Sequence, residues 1–215
     1  METTLLLVRH GESEANLEKR FAGSWDVALT KKGLAQAELT AKYISEKYKI
    51  DKIYSSDLQR AYKTAEAISK LTGKEIVSDK SLREIYAGEW EKKNFDELIE
   101  LFPDTFVKVW RKDIGNAVAD GGESVAQVGV RVYSFLEKVA RDNEGKNIVI
   151  ATHATPIRTA LCLIKGNKIE EAKNLEWVTN ASITEVKYIN GRWEIVDFSH
   201  DSHLDSAKTT LPPTV

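Results

Sequence analysis

Two stretches constrain this chain more than any others: "TLLLVRHG" at residues 4–11 and "NIVIATHA" at residues 147–154. Each is a short apolar run that breaks off in a histidine followed by a small residue. Continuous apolar runs of this length suit strands buried on both faces, and such strands belong to parallel sheets covered by helices. Strand and helix patterns alternate through the rest of the chain, which predicts an α/β domain with a mostly parallel sheet. In open sheets of this class, ligands bind beyond the carboxyl ends of the strands. His10 and His153 are therefore expected to arrive at one edge of one sheet.

The remaining pattern is consistent with that frame. The first strand covers about residues 3–9. Thr30 is placed to cap a helix whose apolar positions are Leu34, Ala37, Ala41 and Ile44. "DKIYSS" reads as a second strand followed by a helix from Asp57, and "KEIVSD" as a short third strand. Asn94 and Glu97 signal the start of a helix over about 94–112. Ser124 and Gln127 form a capping box before the apolar face Val125, Val128, Val132, Phe135 and Val139. Thr155 and Pro156 suit the N-cap and first position of the next helix. "SITEVKYINGRWEIVDF" alternates around Asn190-Gly191, a strong hairpin signal. The reading is one domain over 1–215, with a helical cap insertion at about 84–122 and a loose tail at about 206–215.

Composition narrows the partners. The 215 residues carry a net charge of −2, with 30% charged and 42% hydrophobic residues. No block of like charge suggests nucleic acid or a membrane surface. No apolar run approaches the roughly 18 residues of a membrane span, and the N-terminal run is too short for a signal peptide. The lone Cys162 cannot make an internal disulfide, so a reducing, cytoplasmic setting is expected.

Arginine placement suggests the ligand. Arg9 precedes His10, and "SSDLQRA" puts Arg60 in the first turn of a helix. A cation there opposes the helix dipole, at a cost of a few tenths of a kcal/mol up to ~1 kcal/mol. An anion among Arg9, Arg60 and backbone N–H groups removes the conflict. A phosphate monoester, with a charge of about −1.5 to −2, fits. Phosphoryl transfer asks mainly for positioning and for cations around the phosphoryl oxygens. Two arginines and two imidazoles supply these without metal, one neutral imidazole attacking phosphorus. A carboxylic acid must protonate the leaving alkoxide, a contribution of roughly 10²–10⁴-fold. The best-placed one is Glu84 in "LREIYAGEWE". That role requires it protonated in the resting complex, through partial burial or a nearby negative charge.

In "RHGESEAN", "SSDLQRAYKTAEAI", "LREIYAGEWE", "GGES" and "ATHATPIR" the chain resembles the histidine phosphatase superfamily, phosphoglycerate mutase-like branch. The motifs occur in order from about residue 4 to residue 203. The resemblance implies a doubly wound three-layer α/β sandwich with no metal or other cofactor. It implies His10 as the phosphorylated nucleophile and Arg9, Asn16, Arg60 and His153 around the phosphoryl group. Glu84 falls on the acid/base position. Where "HGG" or "HGN" is common the chain has His153-Ala154-Thr155, and Ala154 still offers its backbone N–H.

The resemblance covers two reactions. Mutases of the branch typically read "TG" at Ala22-Gly23 and Glu-Arg where Glu84 is followed by Ile85. Their longer cap carries a basic pair that Arg111-Lys112 matches poorly. Hydrolysis of a small phosphorylated metabolite is therefore the expected activity. A cofactor-dependent phosphoglycerate mutase and a non-catalytic phospho-ligand module are the alternatives, and the protein is a monomer or a homodimer. Ala22, Gly23 and Tyr86 are expected at the substrate, with Trp90 beside them among the cap aromatics. Lys92 and Lys93 are expected to add positive charge near the mouth. Arg158 reads as structural, and Trp25 as either packing or substrate contact. His200, His203, Asp201 and Asp205 look like a metal cluster only superficially; such runs are usually solvated.

Overall fold

The first apolar run is paired on both sides. The computed structural model describes residues 2–209. In it β1 (Glu2–Arg9) lies between β4 (Asn147–Thr152), parallel to it, and β5 (Ile183–Ile189), antiparallel to it. With β2 (Lys52–Ser55), β3 (Ile76–Ser78) and β6 (Arg192–His200) they form one six-stranded sheet in the order β3-β2-β4-β1-β5-β6. The first four strands of that order run parallel, and β5–β6 form the antiparallel edge. Asn190 and Gly191 turn the hairpin with φ of 50° and 84°, the left-handed pair that a tight hairpin requires.

Both faces of the sheet are buried, which is why the middle of each central strand, residues 5–8 and 148–151, is an unbroken apolar run. Leu5 and Leu7 face one core with Ile148 and Ile150. Leu6 and Val8 face the other with Val149 and Ala151. Besides the short α1 (Glu14–Leu17), α2 (Lys31–Lys47) and α3 (Gln59–Thr72) cover the second face. The helix α4 (Phe95–Leu101) lies in the segment between β3 and α5. The helices α5 (Val125–Asp142) and α6 (Ala154–Ile164) cover the first face. This is the expected doubly wound sandwich. Thr30, Asn94 and Ser124 cap their helices through the side chain as the sequence predicts. No helix among the described residues is long and apolar enough to cross a membrane.

Several local expectations change. Leu34 is 46% exposed, and the buried face of α2 instead includes Gln36 and Thr40. The helix expected over 94–112 breaks at Pro103, whose ring cannot continue α4. Phe102 leaves helical geometry (φ −128°), and Pro103–Trp110 forms a π-helix. The helix expected from Asp57 begins at Gln59. The last long helix starts at Ala154 with His153 as its N-cap, earlier than Thr155-Pro156 suggested. Pro156 is tolerated because first-turn N–H groups have no intrahelical acceptor anyway. Of the expected loose tail, 206–209 are held: Gln36 Nε2 donates to the Ala207 carbonyl (2.7 Å) and to Thr209 Oγ1 (2.8 Å). Residues 210–215 lie outside the described residues.

The register sets up the site. Arg9 pairs with Thr152, so His10 and His153 leave adjacent parallel strands at the same level. Behind them, Gly11 and Gly33 bring two backbones into contact. A Cβ on Gly33 would stand 2.0 Å from the Glu12 carbonyl oxygen, so this approach excludes any larger residue.

Candidate active site

His10 sits just past β1 with 4% of its surface exposed. Its Nδ1 lies 2.7 Å from the Gly11 carbonyl oxygen. A carbonyl only accepts, so Nδ1 carries the proton and Nε2 the lone pair. Burial, then the charges of Arg60 and Arg9, hold the imidazole well below the usual histidine range. The ring is therefore neutral, with a free nitrogen on the side away from Gly11. His153 stands edge-on to it, ring centroids 5.2 Å apart. Its Nε2 is 2.9 Å from Ser56 Oγ, and its Nδ1 is buried without a partner. Burial and the same cations lower this imidazole too.

Arg9 and Arg60 are buried beside these rings. Arg9 Nη1 donates to the Val178 carbonyl at 2.5 Å. Arg60 donates to the Trp25 and Gly23 carbonyls, both at 2.8 Å. Backbone oxygens hold both guanidiniums; neither is in an ion pair among the described residues. Both Nε atoms are buried without partners. Desolvation lowers each group to about 10, so both remain cationic at neutral pH. The loop that grips Arg60 is tied down by Glu91, whose Oε1 accepts from Ser24 N and Ser24 Oγ (2.8 Å each) and from Ala87 N (3.1 Å). Gly23 sits at φ 50°, and a Cβ there would meet that carboxylate at 2.6 Å.

Glu84 is half-buried at the cavity. Its Oε1 accepts from Ile85 N (2.8 Å) and its Oε2 from Thr155 N (3.4 Å). Arg131 aligns the strand of chain that carries it. Its guanidinium donates to the carbonyls of Ser81 (2.8 Å), Arg83 (2.7 Å) and Glu84 (3.0 Å) while paired with Glu123.

Asn16 is both a cap residue and part of the site. Its Oδ1 accepts from Ser13 N (3.1 Å), Ser13 Oγ (3.0 Å) and Asn180 Nδ2 (3.2 Å). Three donors occupy the oxygen, and Asn16 lines the cavity. Asn180 is buried, and its Nδ2 also donates to the His10 carbonyl at 3.2 Å.

One cavity brings together Arg9, His10, Asn16, Ala22, Gly23, Arg60, Glu84 and Ala154. His153 lies behind His10, fully buried, and does not line it. Ala154 is the first residue of α6, so its N–H is one of those a helix start leaves without an intrahelical acceptor. Tyr86 is 49% exposed and does not line the cavity. Trp90 is fully buried, its Nε1 donating to Asp120, and packs beneath the wall. Lys92 and Lys93 lie outside the lining; Lys93 Nζ donates to the Glu89 carbonyl. Trp25 contributes its carbonyl to Arg60, and Lys92 Nζ sits 5.6 Å from its ring centre. Arg158 is structural: it donates to the Ala172 carbonyl (3.0 Å) and stacks 4.3 Å from the Trp177 ring. His200 and His203 stack on Tyr43, and His203 Nε2 is 2.9 Å from Thr40 Oγ1.

Sequence reasoning missed Ser56, Arg131, Trp177 and Asn180. The loop 177–181 in particular serves the site repeatedly: Val178 holds Arg9, and both Asn180 and Ala181 N reach the His10 carbonyl. Ala181 adopts φ 57°, a conformation that L residues resist. An Asn in a loop before a strand carries no signal of such contacts in a single sequence.

The model of the histidine phosphatase superfamily (branch 1) matches residues 5–201. A putative phosphoserine phosphatase 2 of Hydrogenobacter thermophilus is 38% identical over 207 residues, covering 96% of this chain and 92% of the relative. A phosphoglycerate mutase-like protein 4 of Arabidopsis thaliana is 30% identical over 203 residues, 94% of this chain and 86% of the relative. The crystal structure of Entamoeba histolytica phosphoserine phosphatase with 3-phosphoglyceric acid superposes with a TM-score of 0.83 at 30% identity, covering 94% of this chain and 99% of that one.

Two predictions follow from the geometry. Both histidines bind protons more weakly folded than unfolded, so the unfolded chain gains protons first as pH falls below about 6.5. Stability is fully present above that value. It should fall on acidification by about 1.4 kcal/mol per pH unit for each imidazole, in addition to any carboxylate contribution. Urea titrations from pH 7 to 5 should show this slope, smaller by one proton in His10→Asn; equal slopes contradict the assignment. Asn180→Ala should weaken binding of inorganic phosphate by about tenfold, ~1.4 kcal/mol. In an Asn16→Ala background calorimetry should find a smaller loss, whereas an equal loss means Asn180 does not act through Asn16.

Proposed function

The chain belongs to the histidine phosphatase superfamily, and from that premise we propose that it hydrolyses small phosphomonoesters through a phosphohistidine on His10, without metal. One observation carries the reading. Two guanidiniums with no ion pair among the described residues and a neutral imidazole converge on one cavity that also contains a carboxyl group. A dianionic phosphoryl group supplies the missing charge, and the uncharged Nε2 supplies the nucleophile.

In this mechanism Arg9, Arg60, the Asn16 amide and the Ala154 N–H hold the phosphoryl oxygens. The Ser56 hydroxyl, 2.9 Å from His153 Nε2, orients that ring behind His10, where it holds the nucleophile in place. His10 Nε2 forms the P–N bond as the P–O bond to the alcohol breaks, and Glu84 gives its proton to the departing oxygen. Water then attacks phosphorus, Glu84 takes back a proton, and the P–N bond breaks to release inorganic phosphate. The helix dipole of α6 favours the same negative charge.

Hydrolysis is favoured over phosphoglycerate isomerisation by two features. Ala22 lines the cavity without the hydroxyl a mutase carries there, and Arg111 and Lys112 do not line it. The complete set of His10, His153, Arg9, Arg60 and Glu84 argues against a silent binding module. The relatives' names, phosphoserine phosphatase and phosphoglycerate mutase-like protein, fit a small phosphorylated metabolite as substrate. Buried, unpaired Cys162 supports a cytoplasmic setting, as a monomer or homodimer.

Phosphate release from p-nitrophenyl phosphate should persist in EDTA and disappear in His10→Ala. Glu84→Gln should slow an alkyl phosphate by roughly 10²–10⁴-fold and the nitrophenyl ester far less, because that leaving group departs without a proton. Loss of activity in EDTA, or equal losses for both esters, contradicts the scheme.

A further inference from the structure

The cavity has two ends of different chemistry, and the mechanism uses only one. Besides the phosphoryl groups, its walls include one packed group of rings, Phe21, Phe95, Phe106, Trp110 and Trp177. These rings are not simply core. Trp90 is the fully buried member of the cluster, whereas Phe21, Phe95 and Trp177 are partly exposed. Phe106 and Trp110 are buried except for the little surface they turn to the cavity.

The wall is rigidly built. Trp177 packs against the Arg158 guanidinium, 4.3 Å from its ring, and against Trp110, whose ring centre is 6.1 Å away. Phe21 packs edge-on against Trp110 at 5.1 Å and against Phe106 at 6.2 Å. Phe106 and Trp110 reach the cavity from the π-helix after Pro103. π-helical turns are rare and concentrate at functional sites. A preformed apolar box beside a polar anchor is the usual form of a site for a small ligand with an apolar body.

Charge at this end is scarce. Arg20 is the one cation there among the described residues, and it is engaged elsewhere: Nε donates to Glu18 (2.9 Å) and Nη1 to the Lys92 carbonyl (2.6 Å). An ester whose alcohol half is a small hydroxy acid would bury its carboxylate against aromatic faces, which costs free energy unless a cation meets it.

We infer that the outer end is a leaving-group subsite for a flat apolar group, so that the substrates are phosphomonoesters of aromatic or comparably apolar alcohols rather than of small hydroxy acids. The inference rests on the phosphomonoesterase reading, but the subsite can be tested separately from turnover. Calorimetry with three non-hydrolysable phosphonates reads it directly. 2-Phenylethylphosphonate should bind about 10- to 100-fold more tightly than ethylphosphonate, from the apolar area it buries. 2-Carboxyethylphosphonate should show no such gain. Trp177→Ala and Phe95→Ala should each shrink the phenylethyl-to-ethyl ratio, and Trp177→Phe should retain most of it. Each ratio is taken within one protein, so a reduced folded fraction lowers the stoichiometry and not the ratio.

Equal affinities overturn the inference. So does tighter binding of the carboxylated ligand that is lost in Arg20→Ala. Turnover of 2-phenylethyl and ethyl phosphate separates this claim from the hydrolase reading, since both release primary alcohols of similar leaving ability. Release of phosphate from both at equal kcat/KM overturns the subsite and keeps hydrolysis. Release from neither, with the phosphonates still discriminated, overturns hydrolysis and keeps the subsite. Failure of every phosphonate to bind overturns both.

Discussion

Two guanidiniums are buried here with no ion-paired carboxylate among the described residues, and the structure around them is built to hold them. A buried charge is tolerated only if its donors are satisfied and its field is answered. Here backbone carbonyls answer part of the demand: Val178 for Arg9, Trp25 and Gly23 for Arg60. Three separate pieces of chain must therefore be held in place around the sheet edge. Glu91 secures the loop after the first motif, Arg131 the segment bearing Glu84, and Asn180 the turn behind His10. These positions explain why so much polar structure surrounds the cavity.

Burial, and after it the same charges, sets the state of the histidines. An isolated imidazole titrates near neutral pH, but burial beside Arg60 and Arg9 removes the proton from His10 well before that range. The cations thus do two things at once: they attract the phosphoryl group, and they keep the attacking nitrogen uncharged. The Gly11 carbonyl then selects which nitrogen is free. Positioning, charge and tautomer are fixed before any ligand arrives, as a site acting through preorganised electrostatics requires.

How much of this was legible in the sequence depended on periodicity. The central strands are buried on both faces, so "LLLV" and "NIVIA" announced themselves, and with them the meeting of His10 and His153. Arg60 was legible because it breaks a dipole preference. The cap aromatics were not: Tyr86 and Trp90 have the same composition-level signal as Phe95 and Trp110, and only packing assigns which rings face the cavity. Pro103 was visible as a helix breaker, yet the π-helix after it depends on tertiary contacts. Asn180 reaches Asn16 across 164 residues of chain, a contact that no local pattern encodes.

The most direct measurement of the central claim is a rapid acid-free quench of a single turnover, with the covalent phosphate located by peptide mass mapping. A base-stable, acid-labile phosphoryl group should form on His10 in EDTA, appear at the rate of alcohol release, and be absent in His10→Ala. Phosphate release without any such adduct, or an adduct on another residue, would contradict that claim.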